Sequence, residues 1–184
     1  GYKVGPRILA DLGAEIVPVD GVEMDSGPRA DTSLEKLAAL KPAFDPEGTI
    51  TAGNASPVTD GASAVLLMSE ARAREEGREP LAFIEAIDYA AIHPDEGLLM
   101  APAITVPRAL KRAGLKMSDL DLLEIHEAFA AQVLAMVAAW EQGWKGEPAG
   151  TVDWSRVNVN GSSVAIGHPW AATGGRPASR SFRT

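Results

Sequence analysis

The chain has 184 residues, a formal net charge of -8 and a pI near 4.9, an acidic balance that argues against a nucleic-acid surface, which needs clustered Lys and Arg to displace counterions. With 46% hydrophobic, 23% charged and only 5% aromatic residues, it has the composition of a globular protein with an aliphatic core, in one or two domains. The absence of cysteine excludes disulfides, thiolate zinc sites and a cysteine nucleophile within these residues, and no apolar run approaches the ~18 residues of a membrane span, so a cytoplasmic protein is expected.

Residues 8–19 alternate loosely between apolar and polar, and the Gly- and Asp-rich stretch 20–31 reads as a loop. Leu34, Leu37 and Leu40 recur at three-residue intervals, which predicts a short amphipathic helix stopped by Pro42. Residues 62–68, carrying Val65, Leu66, Leu67 and Met68 without alternation, read as a strand buried on both faces. A helix follows, capped by Ser69, with Glu70 in its first turn and Gly77 as its left-handed stop. A domain boundary is placed near Arg78, before a second apolar strand over 81–87.

The spacing of Val106, Leu110 and Ala113 predicts a helix over 102–113 that ends at Gly114, with Pro107 confined to its first turn. Leu122, Leu123 and Ile125 read as a short buried strand, and Phe129, Val133, Met136, Val137 and Trp140 fall at helical spacing after it. That order delivers His126 and Glu127 to the mouth of a helix. Alternating strands and helices predict an α/β architecture, in which ligand sites gather beyond strand ends.

The three histidines are His93, His126 and His168. His93, before Pro94 and Asp95, reads as a solvated turn residue, and His126 by spacing alone reads as a satisfied core histidine. His168 lies in a loop of 158–169 with Gly161 and Gly167, glycines that let backbone approach a ligand closely. A neutral imidazole there suits a general base, because its pKa lies near working pH. Gly174-Gly175-Arg176 is only part of a phosphate-loop pattern. Three histidines, none at His-x-x-x-His spacing, give no compact ligand set, so no metal site is expected.

Taken in order, Asn54-Ala55-Ser56 with Asp60-Gly61-Ala62, then His126-Glu127-Ala128-Phe129, then Asn160-Gly161 and Gly167-His168-Pro169, resemble the motif series of thiolases. The resemblance runs from the Arg29 and Lys41-Pro42-Ala43-Phe44 region through Gly175, and it points to the β-oxidation type of 3-ketoacyl-CoA thiolase. It implies a thiolase-like α/β fold, a mixed sheet covered by helices. Residues 1–77 would be the end of an inserted coenzyme A-binding region and of the first half, and 78–184 most of the second half. The start at Gly1 and the polar run 176–184 lead us to expect a piece shortened at both ends.

The same resemblance implies CoA-dependent cleavage, or the reverse condensation, of a 3-ketoacyl-CoA, with CoA and acyl-CoA as partners and no separate cofactor. Thiolases are commonly dimers or tetramers. In the family a cysteine attacks the acyl carbonyl and the histidine matched by His168 takes its proton; His126 matches a residue, usually Asn, that holds a water in an oxyanion hole. Ser56 matches a position lining the pantetheine channel, Arg29 a basic residue near the nucleotide end of CoA, and Met100 and Phe44 positions near the acyl pocket. Asn160, Gly161 and Gly167 match supports of the oxyanion loop. Departures are Pro57, Thr59 and Trp170, the last a bulky neighbour of the base. The related ketoacyl synthases fit less well because their histidines lie in other contexts. Without either cysteine the chain as given is expected to be inactive, and the alternative is a catalytically silent thiolase-like subunit or CoA-binding module.

Overall fold

A computed structural model of the chain describes residues 20–23, 29, 31–176 and 178. The expectation for 8–19 and the polar end from 177 onward, Ala178 apart, fall outside the described residues.

Helix α1 spans Leu34–Ala38, with Ser33 accepting from the Lys36 amide as its cap. Its leucines are not a buried stripe. Leu34 is exposed, whereas Leu37 and Leu40 lie so close over Gly53 that a Cβ there would meet their methyl groups at 2.6 and 2.8 Å. Helix α2, Glu70–Glu75, has the predicted Ser69 cap and Glu70 in its first turn, and Gly77 follows at φ 64°.

Helix α3, Pro102–Ala113, has the predicted bounds and ends on Gly114 at φ 69°. Pro107 sits inside it rather than in its first turn; lacking an N–H, it leaves out the bond that residue 107 would otherwise donate to the Ala103 carbonyl four residues back. Helix α4, Ala130–Gln142, buries Val133, Met136, Val137 and Trp140, the face its periodicity predicts. The Trp140 indole donates to the Pro102 carbonyl at 3.1 Å and ties the two helices together. They pack with Met117, Ile125 and Val152 into one core, with Met100, Val106, Leu120, Leu123, Ala149 and Val157 around its rim. Apart from Trp140 and two methionines that core is aliphatic, as the composition predicts.

The strands expected over 62–68 and 81–87 do not form. Residues 59–68 and 79–92 make no backbone–backbone hydrogen bonds among the described residues, and Leu66, Leu67, Leu81, Phe83 and Ile84 are exposed. A strand exists only through a neighbour that takes its N–H and C=O groups, and no described segment lies in register with these two. The third expected strand is reduced to one parallel bridge, Leu123 with Val157, held by Leu123 N to Arg156 O and Asn158 N to Leu123 O, each 2.9 Å.

Candidate active site

Two loops and a strap build the site. The first loop, 126–129, leaves the Leu123–Val157 bridge and enters α4, with Phe129 at the N-cap. The second follows helix α5, Ser163–Ile166, and carries Gly167 and His168. The strap 54–58 crosses both. Ser56 N donates to Ala128 O at 3.0 Å and Ala130 N to Asn54 O at 2.9 Å, while His168 N donates to Pro57 O at 2.8 Å.

This crossing brings the two imidazoles together. The rings of His126 and His168 have centroids 4.2 Å apart and are tilted by 39°. His126 touches the hydroxyl of Ser163 through Nδ1 at 2.7 Å, and His168 that of Thr173 through Nδ1 at 2.7 Å. Burial, helped by the neighbouring His168 and Arg176, holds the His126 imidazole below its usual pKa, favouring the neutral ring.

His126 is aimed by its neighbours in sequence. Asn158 behaves as a one-residue strand partner, its Oδ1 accepting from Ile125 N at 2.7 Å and its Nδ2 donating to Ile125 O at 3.0 Å. The same Nδ2 donates to one Glu127 carboxylate oxygen at 2.8 Å, and the other accepts from Val164 N at 3.0 Å. Glu127 is therefore a brace between the first loop and α5. Asn158 adopts φ 46°, a left-handed conformation that Asn reaches more readily than most residues.

Among the other expected site residues, Ser56 lies on the strap beside Ala128, and Phe44 packs edge-on to Phe129 at 6.1 Å between centroids. A hollow of about 490 Å³ adjoins Phe44 and includes Lys41 and Asp45 in its wall. Gly161, at φ 75°, closes a turn by donating to Asn158 O at 2.7 Å, and Asn160 is half-buried in that turn. Gly167, at φ 91°, lies directly against Thr59.

Two further groups lie away from the ring pair. Met100 packs on the rim of the aliphatic core, and none of its described contacts is with the ring pair. Lys36, a second basic group near Arg29, has its ammonium on the Asp31 carboxylate and carbonyl at 2.7 and 2.8 Å, whereas Arg29 is exposed beside Asp31. Trp170, the bulky neighbour, has its ring centroid 5.9 Å from that of His168, tilted by 35°, and is exposed, so it borders the His168 ring without burying it.

The sequence does not announce Ser163, Thr173 or Arg176 as part of the site. Arg176, in the Gly-Gly-Arg run, turns inward and donates to Gly167 O at 2.8 Å and to Ser163 Oγ at 2.9 Å. Only its position eight residues beyond His168 signals such a role.

Residues 10–71 match the family model described as the thiolase N-terminal domain, and residues 78–183 that of the thiolase C-terminal domain. A 3-ketoacyl-CoA thiolase of Photobacterium profundum is 45% identical over 88% of this chain and 39% of its own length. One of Alteromonas mediterranea is 48% identical over 84% and 37%. The chain thus spans about two-fifths of the length of the curated relatives it matches. Among solved structures, an acetyl-CoA acetyltransferase of Bacillus anthracis superposes with a TM-score of 0.76 at 42% identity, covering 86% of this chain and 37% of that one. Human mitochondrial 3-ketoacyl-CoA thiolase superposes with a TM-score of 0.73 at 34% identity, over 88% and 38%.

Proposed function

The chain belongs to the thiolase family and has its α/β fold, and from that premise we propose that it carries the histidine half of a site for CoA-dependent cleavage, or reverse condensation, of 3-ketoacyl-CoA. One observation carries this reading. Two imidazoles, His126 and His168, meet at 4.2 Å on loops braced from three sides, where a base and an oxyanion donor would have to sit. In this reading His168 takes the proton of a thiol nucleophile and His126 stabilises charge on the acyl oxygen through a water.

With no cysteine in its 184 residues, this polypeptide supplies no thiol. Its own contribution is positioning, proton acceptance and ligand binding. Ser56 on the strap, Phe44 with Phe129, and Arg29 are assigned to the pantetheine, acyl and nucleotide ends of the CoA ester, and Asn160, Gly161 and Gly167 to support of the oxyanion loop. Met100, on the core rim, would act on acyl binding only through packing. A cytoplasmic, homo-oligomeric enzyme of fatty-acid β-oxidation completes the reading; the family resemblance supports this part. Among the described residues no helix is long and apolar enough to cross a membrane.

Titration of the labelled chain with acetoacetyl-CoA, followed by side-chain NMR, tests the reading. Saturable shifts of both imidazoles are expected, with affinity a few-fold weaker in Arg29→Ala, since an exposed charge contributes ~1 kcal/mol or less. No turnover of the thioester should accompany binding. A folded chain whose imidazole signals stay unchanged at saturating ligand would remove the pair from the site.

A further inference from the structure

Each imidazole of the pair makes its only described hydrogen bond through Nδ1. The partner at Nδ1 therefore decides whether Nε2 is a donor or an acceptor.

At His126 that partner is Ser163, whose side chain is fully buried. Its Oγ has two partners, Arg176 Nη2 at 2.9 Å and His126 Nδ1 at 2.7 Å. A guanidinium only donates, so Ser163 accepts from Arg176. The hydroxyl proton, shut off from water, then needs an acceptor, because an unsatisfied buried donor costs roughly 1–3 kcal/mol. The acceptor in reach is His126 Nδ1. That places the ring proton of His126 on Nε2.

At His168 the arrangement is reversed. The hydroxyl of Thr173, itself buried, donates to Pro169 O at 3.1 Å. With its proton engaged, Oγ1 meets His168 Nδ1 at 2.7 Å as an acceptor. The ring proton of His168 then lies on Nδ1, and Nε2 keeps a bare lone pair.

We infer that Arg176 with Ser163, and Thr173 with the Pro169 carbonyl, hold the two stacked imidazoles in opposite tautomers, making His126 a donor and His168 an acceptor at Nε2. Ser163, Thr173 and Arg176 are positioning residues: each acts through a ring. Two donors brought to one small volume would compete for the same acceptor, whereas a donor beside an acceptor can serve one reacting group and its proton together. The inference rests on the proposed function only for what those two atoms do. Which nitrogen carries the proton is a property of the chain alone.

Long-range 1H–15N correlation on the uniformly 15N-labelled chain in mildly alkaline buffer, without CoA, reads the tautomer of each ring directly. The expected result is an Nδ1–H pattern for His168 and an Nε2–H pattern for His126. Thr173→Val should release His168 to the tautomer mixture of a solvated imidazole while Thr173→Ser retains the wild-type pattern. Ser163→Ala should release His126 and leave His168 unchanged. The same tautomer on both rings of the unmodified chain overturns the inference whatever the variants do, and so do folded Thr173→Val and Ser163→Ala chains with unaltered patterns. Opposite tautomers in a chain that ignores acetoacetyl-CoA would leave this inference standing and count only against the proposed function.

Discussion

Gly167 approaches Thr59 so closely that a Cβ on the glycine would lie 2.2 Å from the Thr59 methyl carbon and 2.4 Å from its hydroxyl oxygen. Backbone at φ 91° on one loop is thereby locked against a side chain just beyond the strap. This contact sets the position of His168 from behind, because the next peptide donates to Pro57. Gly167→Ala should cost about 2–4 kcal/mol, combining a left-handed penalty of ~1 with overpacking of ~1–3. Urea unfolding of Gly167→Ala, Thr59→Ala and the double variant gives the coupling. The double variant should recover part of the loss, since Thr59→Ala removes the nearer two atoms, and strict additivity would mean the contact is absent.

Ala171 adopts φ 65°, a left-handed conformation that costs a residue with a Cβ roughly 1–2 kcal/mol. It is exposed, in the turn between Trp170 and Ala172. Ala171→Gly relieves that strain but gives the unfolded chain more freedom, an opposing ~0.4–1 kcal/mol. A net gain of about 0.5–1 kcal/mol is expected by chemical denaturation. A loss of stability would show that the strain is not there in solution.

The signals with local causes are legible in the sequence, and the ones that need a distant partner are not. Ser69 and Gly77 bracket α2, and Gly114 ends α3, because caps act on amides and carbonyls within one turn. The apolar runs 62–68 and 81–87 look like strands because composition reports what a segment wants to bury, but not whether a neighbour is present to pair with it. Leu34 fails as a core residue for the same reason: periodicity names a face, and only Gly53 beneath Leu37 and Leu40 shows where that face rests. In the site, the pairing of His126 with His168 follows from the resemblance to thiolases, since spacing alone reads His126 as a core histidine. Ser163, Thr173 and Asn158 stay silent, since a hydroxyl or amide gains a role only from the groups the fold brings to it. The incomplete phosphate-loop pattern around Arg176 says nothing of its place, which is to donate to Gly167 O and Ser163 Oγ.

His126 gives the stability a dependence on pH. Its folded pKa lies below the usual 6.5, chiefly through burial and then through His168 and Arg176. As pH falls from 6.5 toward the folded value, the unfolded chain gains a proton that the folded chain does not. Stability therefore declines across that window and is flat above it, as far as this group is concerned. Asp31, Glu35, Glu76, Glu96 and Asp153, all held below their usual values, lose their contribution only at lower pH, in the carboxylate range. His126→Asn should flatten the upper window and leave the lower one. Urea midpoints measured from mildly alkaline to mildly acidic buffer check it, and an unchanged upper slope in His126→Asn would assign that dependence to another group.

The exposed apolar segments make a prediction of their own. Leu66, Leu67, Leu81 and Phe83 are at least 60% exposed and lie on backbone with no ladder partner among the described residues. Surface substitutions away from packed features usually change stability by no more than about 0.5 kcal/mol. Leu66→Lys and Phe83→Lys should therefore leave the unfolding midpoint almost where it is. What they should change is association, because contiguous apolar surface on unpaired extended backbone is what other chains stick to. Binding of a hydrophobic dye and the loss of monomer on concentration, followed by light scattering, should both fall in the double variant. A destabilisation of 2 kcal/mol or more, on the scale of a core truncation, would instead mean that Leu66 and Phe83 are buried in solution, with 62–68 and 81–87 paired as the strands their composition suggests.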